Sequence, residues 1–431
     1  MATFVSDIVR VAFSRIAVIF CGLGVSIITA RYLGPENNGI ISSLVVYPSL
    51  FMTIGSLGIR QSTTYFIGKN SISIESIKTA IVQIWFFTSL FCIIVCAALL
   101  FFFSPNNYKS ELVLLAIAPI PFSLFVTYNS GIFLGKNEIK EFNKVNWLPN
   151  VVILLATYFF LVPLNAGLNG AMLAALLGPI FMFFIMLFKN DFLNSFRIKI
   201  EYSVIKSLLS LGIIYAIALM VINLNYRIDI ILLERLSSNY ETGIYSKGAS
   251  ITQYLWQIPM VLSTIVFARS SNAKDDLLFS NKVAKLLRIS IIAISLVSIV
   301  LFFLAEYIIV GLYGLDFMGS VRVLQILLPG VVVLTVFKVM NMDLAGKGKP
   351  WVSMKAMIPG LICNILLNIW LIPQYGAVGA SISSTISYSL AGVLFIIFYS
   401  KETRLSIIDI FTFKRSEFKE LYYSVLKIIK R

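Results

Sequence analysis

The sequence predicts an all-α polytopic membrane protein of about twelve transmembrane helices, arranged as two six-helix lobes related by a parallel pseudo-two-fold repeat. Three observations lead there: a composition too apolar for water, a series of span-length apolar runs, and a second half that repeats motifs of the first. Of 431 residues, 58% are hydrophobic and 13% charged, and there is no histidine. A soluble domain carries about 25% charged residues. With half that share the chain cannot clothe its surface for water, so most of that surface must face lipid.

Crossing the hydrocarbon takes about 20 apolar residues in a helix. Runs of that kind cover roughly 10–32, 39–66, 77–103, 111–134, 145–163 and 167–188, then 207–233, 243–268, 283–304, 322–345, 353–373 and 376–400. Turn-forming residues separate them: Gly34-Pro35 with Asn37-Asn38, Ser104-Pro105-Asn106-Asn107, Pro163 with Gly167, and Gly348 to Pro350. The first run shows no cleavage motif and has the length of a span, so it reads as a helix and not a signal peptide. The longest loop on the outer side, about 305–321, is too short to be a domain. From about Ser416, Phe418, Leu421, Tyr422, Val425, Ile428 and Ile429 recur at helical spacing against Lys419, Lys427, Lys430 and Arg431. That pattern fits a basic amphipathic helix on the inner leaflet, with a frayed basic tail as the alternative.

Orientation follows from Lys and Arg. The termini and the even-to-odd loops hold 26 of the 35, the odd-to-even loops hold 4, and five lie inside spans. Both termini are therefore expected in the cytoplasm of a bacterial-type plasma (inner) membrane. The net charge of +15 then reads as cytoplasmic bases facing anionic lipid, not as a nucleic-acid site.

The halves match in order. Arg31, Gly39, Ile40 and Ser42 recur as Arg235, Gly243, Ile244 and Ser246, at a constant offset of 204. Gly135-Lys136, Lys144 and Pro149 recur as Gly346-Lys347, Lys355 and Pro359; Pro163, Gly167 and Gly170-Ala171 recur as Pro373, Gly376 and Gly379-Ala380. Six spans per copy make the copies enter from the same side, with the pseudo-two-fold axis along the membrane normal. The lobes are expected over 1–200 and 201–400, followed by a tail at 401–431.

Helical phasing aligns Arg15, Gly22, Ser26 and Thr29 on the first span. Ser42, Ser49, Thr53, Ser56, Arg60 and Thr63 align on the second, and Ser246, Ser250, Gln253, Gln257 and Thr264 on the eighth. Ser and Thr stripes also serve as packing faces; the amides of Gln253 and Gln257 and the guanidiniums of Arg15 and Arg60 favour a water-filled cavity. Arg227, Lys247 and Lys338 are the other intramembrane bases, and for all five bases snorkelling to the interface is the alternative. Asp229 lies near Arg227 and is its candidate partner; Lys338 and Asp343 read as a packing pair. Acids are few in the spans, so a cavity would be electropositive and suit an anion such as a phosphate. Cys21, Cys92, Cys96 and Cys363 lie in apolar runs with no His, Asp or Glu beside them, so no metal, cofactor or catalytic group is expected.

The run Arg31-Tyr32-Leu33-Gly34-Pro35 with Gly39 resembles the first loop of the Wzx-type polysaccharide-biosynthesis flippases of the multidrug/oligosaccharidyl-lipid/polysaccharide (MOP) exporter superfamily. Arg227-Ile228-Asp229, Thr242-Gly243-Ile244-Tyr245-Ser246, Leu255-Trp256 and Ile258-Pro259 resemble that family's seventh and eighth helices. Asn364, Asn368, Ile372-Pro373, Tyr375-Gly376 and Gly379-Ala380 resemble its eleventh and twelfth. The resemblance implies a MATE-like bundle with alternating access, not an enzyme. It implies transport of an undecaprenyl-diphosphate-linked oligosaccharide, such as an O-antigen or capsule unit, through a cavity lined by spans one, two, seven and eight. Arg15, Arg60, Arg227 and Lys247 carry over as bases for the diphosphate or acidic sugars, with Gln253 and Gln257 beside them. Asp229 is the coupling candidate for an H+ or Na+ counter-ion, and membrane lipid, a polymerase and a chain-length regulator are candidate partners. Another lipid-linked precursor and a cationic drug are alternative cargoes; a drug exporter would want lone intramembrane carboxylates. A membrane-bound glycosyltransferase or polymerase would want a large outer loop or a carboxylate constellation.

Overall fold

The computed structural model describes residues 2–102, 104, 108–136, 138–196, 201–257, 259, 266, 270 and 275–412. Among them every ordered element is helical. The expected tail helix from Ser416 lies outside the described residues, as do Thr264 and the side chain of Arg15.

In chain order the first-half helices are α1 (Ala2–Gly55), α2 (Ile59–Gly68), α3 (Ile74–Phe102), α4 (Ser110–Ile117), α5 (Pro119–Gly135), α6 (Ile139–Val145), α7 (Leu148–Leu161) and α8 (Gly167–Lys189). The second half holds α9 (Tyr202–Leu236), α10 (Asn239–Leu255), α11 (Asp276–Tyr313), α12 (Gly319–Gly346), α13 (Trp351–Thr403) and α14 (Ile407–Phe411). Nine helices among the described residues are long and apolar enough to cross a membrane. Two of them, Ile16–Gly68 and Trp351–Thr403, run 53 residues each, which at about 1.5 Å per residue is more than twice a hydrocarbon core. Each folds back at one glycine with positive φ: Gly34 (φ 68°) and Gly376 (φ 52°). Counted as hairpins, the nine helices make eleven crossings. The expected span over 243–268 coincides with α10 as far as Leu255, and most of its residues beyond that are not described.

The two hairpins close differently. At the first, the Asn38 amide donates to the carbonyls of Thr29 (2.9 Å) and Gly34 (2.7 Å), tying one arm to the other. At the second, Gly379 lies so close to Leu371 that an added Cβ would stand 2.4 Å from its carbonyl oxygen. The expected loop at 305–321 is mostly helix. Ala305, Ile309 and Tyr313 are buried along one face of α11, and that burial carries the helix on to Tyr313, where Gly314 (φ 99°) turns the chain.

The second span is broken at Leu57 and Gly58, both with positive φ, where α1 ends and α2 begins. The Gly58 backbone meets Gly212 of α9, whose carbonyl oxygen would lie 2.0 Å from a Cβ at Gly58. The first half is cored by Phe125, Phe183, Phe192 and Trp85. In the second half α12 is the most enclosed crossing, with 67% of its apolar window buried. The outer surface is apolar in turn: Phe87 is 70% exposed and Phe303 74%, which only a lipid solvent accommodates. The halves pack together chiefly through α1, α2 and α3 against α9, α10 and α11.

Candidate functional site

The seam between the halves is tightest at the end of the bundle away from the described termini. Gly39 faces Asn239, and a Cβ at Gly39 would stand 1.8 Å from the Asn239 carbonyl oxygen; Gly243 faces Pro35, with the corresponding distance 1.9 Å. Gly243 is the repeat mate of Gly39, and Asn239 sits at the same 204-residue offset from Pro35. The contact is thus reciprocal, as a two-fold interface requires.

Charged side chains reinforce this end from both halves. Arg31 donates from Nε to the Leu312 carbonyl (2.9 Å) and from Nη2 to Gly311 (2.5 Å). Glu234, 4% exposed, accepts from Tyr47 (3.0 Å), Ser104 (2.9 Å) and Tyr108 (2.9 Å) of the first half. Lys247 donates from Nζ to the Ser26 carbonyl (3.0 Å), the Ser26 hydroxyl (3.2 Å) and the Thr29 hydroxyl (3.0 Å), with the Tyr313 ring 5.5 Å away. Its buried ammonium is a strut between α10 and α1 in this state, held fast by the protein itself.

Along α1, Ser42, Ser49, Thr53 and Ser56 each donate to a carbonyl of their own helix. Those bonds let the hydroxyls sit in an apolar bundle without other partners. Arg60 lies half-buried in α2, where Gly131 of α5 packs against its backbone. Gln253 is exposed, Gln257 is half-buried, and the Gln257 Oε1 has no hydrogen-bond partner among the described residues.

Asp229 is fully buried, and Arg227 is not among its partners. Its Oδ2 accepts from Tyr245 (2.9 Å) and Ser384 (2.7 Å), and its Oδ1 from Asn368 (2.8 Å). Asn368 also donates to Asn364 (2.8 Å), and Ser387 donates to Asn225 (3.2 Å). Two residues apart, Arg227 and Asp229 point to different sides of α9, so the expected pair is replaced by a polar cluster drawn from α9, α10 and α13. The expected pair of Lys338 and Asp343 fails for the same reason. Asp343 is taken by Lys347 (3.1 Å), Ser270, Ser280 and Tyr399, while Lys338 lies over the rings of Tyr226 (4.0 Å) and Trp256 (4.6 Å). The sequence left Lys338 out of the site. The signal that could have found it is aromatic: Tyr226 and Trp256 lie on or at the end of the helices that meet the first half, and both pack on the ring of Tyr388.

Comparison with known proteins agrees with this architecture. The profile of a polysaccharide biosynthesis protein family matches residues 5–269. An uncharacterized membrane protein of Methanocaldococcus jannaschii is 24% identical over 392 residues, 86% of this chain and 92% of that one. The capsular polysaccharide biosynthesis protein CapF of Staphylococcus aureus is 24% identical over 333 residues, 69% of this chain and 83% of that one. Among solved structures, the lipid II flippase MurJ in an inward closed conformation superposes with a TM-score of 0.75 at 17% identity, covering 98% of this chain and 93% of that one. An inward-facing MATE multidrug transporter of the MOP superfamily gives 0.68 at 15% identity, covering 91% and 98%. With the family profile spanning more than half its length, the chain belongs to the polysaccharide biosynthesis protein family, and it shares the fold of MurJ and the MATE transporter over nearly all of its length.

Proposed function

We propose that this protein flips a lipid-linked oligosaccharide, joined through undecaprenyl diphosphate, from the cytoplasmic to the outer leaflet of a plasma membrane. The observation that carries the reading is the reciprocal seam of Gly39 on Asn239 and Gly243 on Pro35. Two six-helix lobes, 1–200 and 201–400, that meet through close backbone contacts, the reciprocal pair at one end and Gly58 on Gly212 elsewhere, can part at the reciprocal pair without unfolding either lobe, which is what rocking between two access states requires. In this state the seam is shut at the end that the Lys and Arg bias assigns to the outside. Arg60 and Arg227, with Arg15, supply positive charge for the diphosphate, and Gln253 and Gln257 supply amides for the glycan. Lys247 joins them once the seam opens and its bonds to Ser26 and Thr29 are released.

Asp229 is the coupling group. Its carboxylate is surrounded by Asn364, Asn368, Ser384 and Tyr245, and the Oδ1 of Asn368 has no hydrogen-bond partner among the described residues. Oxygen donors around a buried carboxylate suit a hard cation or a proton. The test is reconstitution of the full chain in liposomes with a fluorescent undecaprenyl-diphosphate oligosaccharide on one leaflet. Exposure of the label to an impermeant quencher on the other side is expected to depend on the protein. A protein that is well folded and leaves the label on its original leaflet under proton and sodium gradients alike would overturn the reading.

A further inference from the structure

At the seam end of the first half a cavity of about 420 Å³ opens between α1, α4 and α8, a size within the ~300–1,000 Å³ usual for a small-ligand site. Ile40, Leu112 and Leu168 give it apolar walls, and Tyr108, Lys109 and Asn169 add polar groups. Polarity follows depth. Lys109 immediately precedes α4, and Asn169 lies in the first turn of α8, so both sit where their spans begin, at the level of lipid headgroups. Leu112 lies about one turn deeper, and Ile40 lies about 9 Å along its helix from the Gly34 turn. Leu114 of α4 and Leu164, just before α8, are exposed, so the cavity borders the bilayer.

Its rim is dipolar. Lys109 and Glu111 are exposed, opposite in charge and close in the chain. The Asn169 amide donates to the Glu111 Oε2 (3.4 Å), which places that carboxylate at the edge of the cavity. Neither charge has an ion-pair partner among the described residues. A ligand that answers both needs a negative and a positive group a few bonds apart on an apolar body, which is a zwitterionic phospholipid. A phosphate oxygen on Lys109 makes a charge-assisted bond, and a primary ammonium can donate to Glu111 where a quaternary one cannot. Glu111 disfavours a purely anionic lipid. A sugar suits the cavity less, because the walls are aliphatic and the hydroxyl of the one ring, Tyr108, is engaged elsewhere.

That hydroxyl donates to the Glu234 Oε1 (2.9 Å), on the second-half carboxylate that Tyr47 and Ser104 also hold. Ile40 in turn follows Gly39, which meets Asn239. The walls of the cavity thus face a ligand on one side and the seam on the other. A lipid packed against Tyr108 restrains the ring where it donates, and so favours the shut seam.

We propose that this cavity binds a phosphoethanolamine lipid of the leaflet at the seam end, through Lys109 and Glu111, and that its occupancy holds the latch from Tyr108 to Glu234. The site goes beyond the transport reading, and neither arm of its test needs the protein to flip a lipid-linked sugar.

The first arm counts bound lipid by native mass spectrometry of the purified full chain in neutral detergent. The probes are phosphatidylethanolamine, phosphatidylcholine and phosphatidylglycerol with the same acyl chains. The wild type should bind phosphatidylethanolamine most tightly. Glu111→Gln should weaken it by about two- to fivefold, the range of an exposed charge contact, and should strengthen phosphatidylglycerol. Lys109→Ala should weaken both. Leu112→Trp fills the cavity and should lose the phosphatidylethanolamine adduct; the two rim variants change exposed side chains and decide the matter if Leu112→Trp does not fold. Equal affinity of the wild type for the three lipids, or unchanged affinities in both rim variants, overturns the site. Displacement of phosphatidylethanolamine by maltotetraose would assign the rim to a glycan and overturn it equally.

The second arm reads the latch. Ser250, half-buried on α10 beside Tyr313 (3.4 Å), is replaced by cysteine in an otherwise cysteine-free chain, and its maleimide labelling is timed in liposomes of phosphatidylcholine with and without phosphatidylethanolamine. Phosphatidylethanolamine should slow labelling of the wild-type background. Tyr108→Phe keeps the ring and loses the bond to Glu234, so it should keep the lipid adduct and lose the slowing. A general effect of the lipid on the bilayer would slow both alike, and that result overturns the link between site and latch.

Discussion

The reciprocal glycine seam makes a quantitative prediction. In Gly39→Ala the new Cβ would stand 1.8 Å from the Asn239 carbonyl oxygen, whereas real Cβ contacts essentially never fall below 3.0 Å, so the two backbones must part by about 1.2 Å. The obstacle is backbone on both sides, and no rotamer relieves it. Overpacking of this kind costs about 1–3 kcal/mol, and all of it falls on the state in which the seam is shut. A bias of that size shifts a two-state equilibrium by about 5–150-fold toward the open seam. Within its own helix the substitution is favourable, since alanine is the better helix former by about 1 kcal/mol. Loss of closure should therefore appear without loss of fold. The assay is the maleimide labelling rate of Ser250→Cys in a background with the four native cysteines replaced. Ser250 lies half-buried on α10, facing Tyr313 at 3.4 Å. Labelling should accelerate at least about fivefold in Gly39→Ala. Because Gly243 meets Pro35 as Gly39 meets Asn239, Gly243→Ala should accelerate it to a similar degree. A response to one substitution and not the other would refute the symmetry argument, and a response to neither would refute the seam as the point of opening.

Three further outcomes are expected. Arg60→Ala should abolish polymer export at normal membrane abundance while Arg60→Lys keeps part of it, if fork geometry and charge both serve a diphosphate; surface polysaccharide per unit of protein is the measure, and full export by Arg60→Ala removes Arg60 from the site. Asp229→Asn should keep the fold, since Tyr245 and Ser384 can still donate to the remaining oxygen, but should uncouple transport from its driving gradient; gradient-dependent flipping at the wild-type rate would count against the coupling role. Glu234→Gln should weaken a latch held by three hydroxyls of the first half, costing the shut state about 1.5–3 kcal/mol and raising Ser250→Cys labelling in the same direction as Gly39→Ala; slower labelling would contradict it.

Much of the architecture is legible in the sequence because hydropathy and turn chemistry act locally. Gly34 and Gly376 are visible as breakers beside Pro35 and Pro373, and they are the residues whose positive φ folds the two long helices back. Other features depend on tertiary contact. Nothing local distinguishes 305–313 from a loop edge, since α11 continues there only because Ile309 and Tyr313 find burial. Gly39 and Gly243 were matched as repeat mates, but the sequence does not say that they meet each other's lobe. Arg227 with Asp229 and Lys338 with Asp343 look like pairs by proximity, yet spacings of two and five put partners on different sides of a helix. The residues that receive Asp229 and Lys338, namely Asn368, Ser384 and Tyr226, come from helices far away in the chain.

The Gly34 hairpin also bears on how the chain enters the bilayer. Two spans joined by a single bent residue have no loop to pull across after the first has inserted, so both must pass into the membrane together as one unit. Asn38 lowers the cost of that passage, because its amide already occupies the Thr29 and Gly34 carbonyls that the bend would otherwise leave bare in hydrocarbon. Lengthening the link at residue 34 would lose that pre-satisfied turn, and the defect would appear during biogenesis, as failed insertion of the first two spans, before any transport could be measured.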